Sequence, residues 1–214
     1  MSDEELGDKS GAPQCGIYIR IELPMGKMGE KDGDYSGVMQ KTQLIMKTVN
    51  EESEHEKNMH VIEVSGGHPE SLKIICDVIR SKGFVVVMNG DHEKAASCGA
   101  DGVMLARGVD VSAVRIAVGE DFIIGVKSDL HEDADYVSLA PVAQDIMAFC
   151  AKTNKLCLAS GTISKDAAPS LMAAGATFLD MSDYIFNHDQ GVVKATAKVL
   201  SAMQKAEEYK SQAN

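Results

Sequence analysis

Eight short apolar runs, rich in β-branched residues and bounded by Gly, Asp, Ser or Pro, recur along the chain and limit the folds open to it. They are Cys15 to Leu23, Met59 to Val64, Phe84 to Met88, Gly102 to Leu105, Phe122 to Val126, Tyr136 to Leu139, Leu156 to Ala159 and Thr177 to Met181. Runs of this kind mark parallel strands buried on both faces. Between most of them the apolar period changes from two to that of a helix. Leu72, Ile75, Cys76 and Ile79 form one helical face, and Val192, Ala195, Val199 and Met203 form another. Parallel neighbours need a crossover, usually a helix, so the alternation reads as repeated βαβ units. Eight such units predict a single compact (β/α)8 TIM barrel, a fold that commonly runs to roughly 250 residues. The 214 residues fit one such domain.

A doubly wound open sheet is the alternative that the same alternation permits. Closure is favoured because no Gly-x-Gly-x-x-Gly follows the first run and the short unit repeats to the end of the chain. Two connections depart from the pattern. Only Lys127 to Asp135 separates strands five and six, too short for a full helix, so a loop or single turn is expected there. Pro24 to Tyr35 is rich in Gly and charge and is the expected mobile loop, before a helix at about Gly37 to Val49 and a polar joint from Glu51 to Asn58. Gly99-Ala100 and Gly175-Ala176 each read as a helix-ending glycine before a strand. The organisation expected is a flexible tail over residues 1–13, a barrel over 14–208 and a short tail over 209–214.

A formal net charge of −11 opposes nucleic-acid and anionic-membrane partners, which reward clustered Lys and Arg. No segment approaches the roughly 20 apolar residues of a membrane span, and the acidic first 13 residues carry no apolar core of a signal, so a cytoplasmic location is expected. Cys15, Cys76, Cys98, Cys150 and Cys157 form no CxxC pair and sit mostly in apolar runs, the pattern of reduced core residues. The expected partner is a small molecule, with homo-oligomerisation left open.

From Val85 onward, the phrases VVVMNGDHEKAASCGADGVML, FIIGVKSDL, ADYVSLAPV and LCLASGTISKDAAPSLMAAGATFLDMSD keep the order and approximate spacing of strands three to eight in a known family. In these phrases the chain resembles the thiamine-phosphate synthase superfamily, including its thiazole tautomerase branch. The resemblance implies a (β/α)8 barrel of thiamine biosynthesis that joins hydroxymethylpyrimidine diphosphate to a thiazole phosphate, displacing pyrophosphate with Mg2+ present. It implies ligand contacts at Asn89 and metal contacts at Asp91 and Asp110. The chain departs from the family where diphosphate binds. The synthases carry Gln-x-Arg-x-Lys at the end of strand two, and here Glu63, Ser65 and Gly67 stand instead.

Several residues at the strand ends carry chemistry of their own. Alternation along strand two makes Glu63 an inward carboxylate suited to proton transfer, or else the partner of Lys127 or Arg20. Lys127, directly after an apolar strand, could act at the mouth by binding an anion or, if desolvated, by forming a Schiff base, or else pair with Asp129 or Glu132 at the rim. Ser160, Gly161 and Thr162 follow strand seven, where barrels turn backbone N–H groups toward a phosphate, and Ser164 caps the next helix. Ser182 ends strand eight as a further candidate to bind the ligand or its phosphate, beside Asp183, whose charge opposes a phosphate unless it turns away as a cap. The reading is a divergent synthase-like barrel binding a phosphorylated or heterocyclic molecule at the C-terminal strand ends. A non-catalytic metabolite- or partner-binding barrel is the other reading.

Overall fold

The computed structural model of the chain describes residues 15–24, 34–53, 58–127 and 130–212. The first strand, β1 (Gly16–Leu23), is followed by α1 (Ser36–Glu52), β2 (Val61–Gly66), α2 (Pro69–Arg80), β3 (Val85–Asn89) and α3 (His92–Ser97). Then come β4 (Gly102–Leu105), α4 (Val111–Val118), β5 (Ile123–Lys127), β6 (Tyr136–Leu139), α5 (Ala143–Cys150) and β7 (Leu156–Ala159). The chain finishes with α6 (Ala168–Ala173), β8 (Phe178–Asp180), α7 (Ser182–Phe186) and α8 (Gly191–Gln212). All neighbouring strands are parallel, and β8 pairs back onto β1 through Gly16 with Phe178 and Tyr18 with Asp180, which closes the barrel. The open-sheet alternative is thereby set aside.

Alternation sorts each strand's side chains between two cores. The outer core lies between sheet and helices, where Ile17, Ile19 and Ile21 of β1 meet the apolar faces of the helices. Leu72, Ile75, Cys76 and Ile79 of α2 are buried there, as are Val192, Ala195, Val199 and Met203 of α8. Each fully buried Leu or Ile contributes on the order of 1.5–3 kcal/mol by leaving water, which holds α2 more firmly than its propensity does. Local chemistry sets the ends of α2, with Pro69 at the first helical position, Glu70 in the first turn and Arg80 in the last. Gly99 and Gly175 adopt φ of 73° and 107° after their helices, the left-handed stop that the sequence pattern called for.

The inner core fills the barrel with Tyr18, Val61, Val87, Met104, Tyr136, Leu158 and Phe178. Gly125 makes room for one of the two tyrosines among these. A Cβ there would lie 2.2 Å from the Tyr136 ring, so β5 must be bare at that point for Tyr136 to lie inside.

No helix joins β5 to β6 among the described residues, as the short connection requires. Arg115 of α4, buried in the outer layer, fills the gap. Its guanidinium donates to the carbonyls of Gly119, Phe122 and Asp133 and pairs with the Asp135 carboxylate at 2.7 Å. The Asp135 carboxylate in turn accepts from the Ile124 amide, which ties the turn to β5.

Helix α1 extends beyond the expected ends to Glu52, and α8 continues to Gln212. The tail over residues 1–13, most of the Pro24 to Tyr35 loop and residues 54–57 lie outside the described residues. No described helix is long and apolar enough to cross a membrane. All five cysteines carry thiols, and no disulfide joins them. Burial pushes the thiols of Cys76 and Cys157 up to about 11 and about 12, which keeps them protonated and unreactive in the core.

Candidate functional site

One step of two residues beyond the apolar interior, seven of the eight strands place a polar residue at the C-terminal rim, and β4 places Ala106 there. Counting from Tyr18, Val61, Val87, Gly125, Tyr136, Leu158 and Phe178 gives Arg20, Glu63, Asn89, Lys127, Ser138, Ser160 and Asp180. The mouth is therefore a polar ring standing on an apolar plug.

Glu63 lies at the floor of this ring, 5% exposed. Its Oε2 accepts the Tyr18 hydroxyl at 2.6 Å, and its Oε1 accepts the Asn89 side-chain amide at 2.6 Å. The Tyr18 hydroxyl also lies 3.3 Å from that of Tyr136. Burial first, then the neighbouring Tyr136 hydroxyl and Glu63 carboxylate, push the Tyr18 phenol well above its ordinary value, so it stays a proton donor. Burial likewise raises Tyr136. Glu63 and Asn89 thus come together as expected. The anticipated ion pair of Glu63 with Lys127 or Arg20 is replaced by bonds to neutral donors.

A second cluster closes the β7, β8 and β1 side. The Asp180 carboxylate, with no side-chain exposure, pairs with Arg20 Nε at 2.7 Å. It also accepts the Ser160 hydroxyl at 3.1 Å, the Ser182 hydroxyl at 2.5 Å and the Ser182 amide at 3.2 Å. The Ser182 hydroxyl oxygen accepts the Arg20 amide at 2.7 Å, which pins the end of β8 to β1. Thr162 donates to Asp183 at 3.1 Å. The hydroxyls of Ser160, Thr162 and Ser182, read in the sequence as phosphate donors, are therefore directed at carboxylates of the chain itself. Asp183 is not the cap of α7. It stands inside the first turn, and Met181 holds the cap position. Gly161, with φ of 146°, packs against Pro141, where a Cβ would approach the ring to 3.0 Å. Ser164 accepts the Ala167 amide in the turn ahead of α6, but the cap position of that helix falls to Ala167 and not to Ser164 as expected.

Asp91 and Asp110 both cap helices. Asp91 Oδ1 accepts the Lys94 amide at the start of α3, and Asp110 Oδ1 accepts the Ala113 amide at the start of α4. One oxygen of each is committed to its helix and the other is left for a ligand. Among the described residues no group of three His, Cys, Asp or Glu side chains gathers into a metal cluster.

Lys127 ends β5 on the inward register, exposed at the rim, and makes no ion pair among the described residues. Asp129, one of its expected partners, lies outside those residues. Lys94 reaches from α3 across the end of β2, where its Nζ donates to the Gly67 carbonyl at 3.1 Å. A cation thus stands over the strand end that lost its own.

Tyr18, Arg20, Asp180 and Lys94 escaped the sequence reading as site residues, with Arg20 entering it only as a possible partner of Glu63. Counting by twos along β1 and β8 would have found the first three, because Tyr18, Arg20 and Asp180 share the inward parity. Lys94 carries no such signal, since its reach depends on how α3 packs.

No known family model matches the chain. It is 30% identical to a thiamine-phosphate synthase of Hyphomonas neptunium over an alignment of 136 residues that covers 53% of this chain and 62% of that protein. The chain thus spans less than two thirds of that relative. Its structure superposes on a thiamine phosphate pyrophosphorylase from Pyrococcus furiosus with a TM-score of 0.66 at 13% identity, covering 90% of this chain and 96% of the other. An orotidine 5'-phosphate decarboxylase from Pyrococcus horikoshii gives 0.60 at 15% identity over 88% and 99%. At such identities the structural likeness speaks for the barrel. The sequence match bears out the resemblance to the thiamine-phosphate synthase superfamily.

Proposed function

We propose, from that resemblance, that this barrel is a divergent thiamine-phosphate synthase-like protein that binds a phosphorylated or heterocyclic small molecule of thiamine biosynthesis at its C-terminal mouth. The observation that carries the reading is the polar ring on an apolar plug, with Glu63 and Asn89 bonded at its floor. Brought beside a heterocycle, the Asn89 amide and Glu63 carboxylate offer a donor and an acceptor side by side. Glu63, freed from one of its neutral partners, would take or return a proton at a ring nitrogen or amino group. Lys127, Lys94 and Arg20 surround the mouth with positive charge, which suits a ligand carrying phosphate.

The free oxygens of Asp91 and Asp110 would hold Mg2+ in the manner of sites that use one or two carboxylates plus substrate phosphates, and the ion would neutralise charge on a diphosphate. The remaining work falls to the chain's own residues, which orient the two reactants and exclude water from the floor of the mouth. Incubation with hydroxymethylpyrimidine diphosphate, thiazole phosphate and Mg2+ tests the transfer. Thiamine phosphate above blank supports it, and none rejects it.

The engagement of Ser160, Thr162 and Ser182 with Asp180 and Asp183 favours a second reading, a barrel that binds its ligand without the transfer. A synthase that stabilises departing pyrophosphate needs such donors free. That reading expects a melting-temperature rise with thiamine precursors and no product. A ligand at about 100 times its dissociation constant adds ~2.7 kcal/mol.

A further inference from the structure

We infer that the anionic group of the ligand is anchored by the guanidinium of Arg20 on β1, held in place by Asp180, and not by the turn after β7. The inference rests on the mouth being the ligand site and names the part of it that takes the charge. Nothing in the similarity to the synthases assigns either residue.

Arg20 uses a single nitrogen in its ion pair. Nε meets Asp180, while neither Nη atom has a bonded partner among the described residues, and the side chain is 42% exposed. An arginine held only through Nε presents the outer edge of its planar fork, the edge that binds a phosphate or carboxylate with two parallel hydrogen bonds. The orientation is fixed from below. Asp180 is wholly buried and takes three further hydrogen bonds from Ser160 and Ser182, so its carboxylate is satisfied and immobile, and its charge is spread over neutral donors. The other carboxylate near Arg20 in register, Glu63, has both oxygens engaged by Tyr18 and Asn89. The alternative seat, at residues 160–162 and 182, has its hydroxyls donated to Asp180 and Asp183, so an anion there would displace them and face two carboxylates. The ligand class is a small molecule with one phosphate or carboxylate arm and a hydrogen-bonding ring, the arm toward β1 and the ring toward Glu63 and Asn89.

Binding of the thiazole alcohol and of its phosphate ester, with inorganic phosphate and pyrophosphate alongside, tests this by calorimetry on the full chain. Wild type prefers the ester. Arg20→Gln loses that preference by about tenfold to a hundredfold, the value of one charge-assisted bond, while binding of the alcohol is unchanged. Arg20→Lys recovers part of it. Because Arg20→Gln strands a buried Asp180, the double variant Arg20→Gln/Asp180→Asn keeps the pair neutral and the fold intact, and it gives the same loss. A folded double variant that still prefers the ester overturns the inference, as does a wild type that binds none of the anions. Pyrophosphate binding that depends on Arg20 while neither thiazole binds supports the anchor and sinks the proposed function. Thiazole binding that ignores Arg20 does the reverse.

Discussion

Removing the single hydroxyl of Tyr18 tests whether the floor of the mouth is a built hydrogen-bonded unit. Tyr18→Phe leaves the ring in its apolar socket, so no cavity opens and the loss is electrostatic. The variant deletes a 2.6 Å bond to a buried carboxylate and the 3.3 Å contact with Tyr136. A bond to a charged group is worth about 1.5–3 kcal/mol, and stranding the second oxygen of Glu63 places the cost at about 2 kcal/mol or more. For a domain of this size that lowers Tm by about 4–8 °C. Thermal and urea unfolding measure it, with a double-mutant cycle through Glu63→Gln. In the Glu63→Gln background the hydroxyl no longer serves a carboxylate, so Tyr18→Phe costs less by about 1 kcal/mol. A Tm drop below about 1 °C, or single-variant effects that add to within about 0.5 kcal/mol, refutes the coupling.

Arg115→Met removes the plug beneath the β5 to β6 turn and strands several carbonyls and the Asp135 carboxylate, for a loss of about 3 kcal/mol by urea unfolding; ligand affinity stays the same. Gly125→Ala drives a methyl into the Tyr136 ring and costs about 1–3 kcal/mol by the same assay, whereas an unchanged midpoint would mean that Tyr136 lies elsewhere. The folded-state pKa values of Cys76, Cys157, Tyr18 and Tyr136 are all displaced upward, so the folded chain keeps protons that the unfolded chain sheds. Their contribution to stability is complete below pH ~8.5, the ordinary thiol value, and falls as pH rises through the thiols' values of about 11 and about 12. Urea midpoints measured from pH 8 to 11 should therefore decline, and Tyr18→Phe should flatten the part above pH ~10, the ordinary phenol value.

The scaffold was legible because its signals are local. Runs such as Tyr136 to Leu139 and Leu156 to Ala159 coincide with the strands themselves, since a short apolar run bounded by turn residues has few other outcomes. Glu63 was legible from its inward phase along strand two, and Asn89 from the family phrase that ends strand three. Arg20 and Asp180 were not, because their meaning comes from closure. Pairing of Tyr18 with Asp180 across the β1 to β8 seam joins positions 162 residues apart, and only that seam turns a lone arginine and a lone aspartate into a pair. The same seam explains why Ser160 and Ser182 look like phosphate donors in sequence and act as Asp180 donors in the fold. Asp91 and Asp110, which the resemblance offered as metal contacts, also cap α3 and α4, a role the sequence reading did not give them.

The central claim is that ligands enter at the C-terminal mouth, and amide chemical shifts of the labelled protein titrated with thiazole phosphate test it most directly. The account predicts shifts gathered at Arg20, Glu63, Asn89, Lys127 and Ser160, with little change at Gly16, Val61 or Phe178 toward the opposite end. Shifts confined to the opposite end or to the outer helices, or no shifts at saturating ligand, would contradict it.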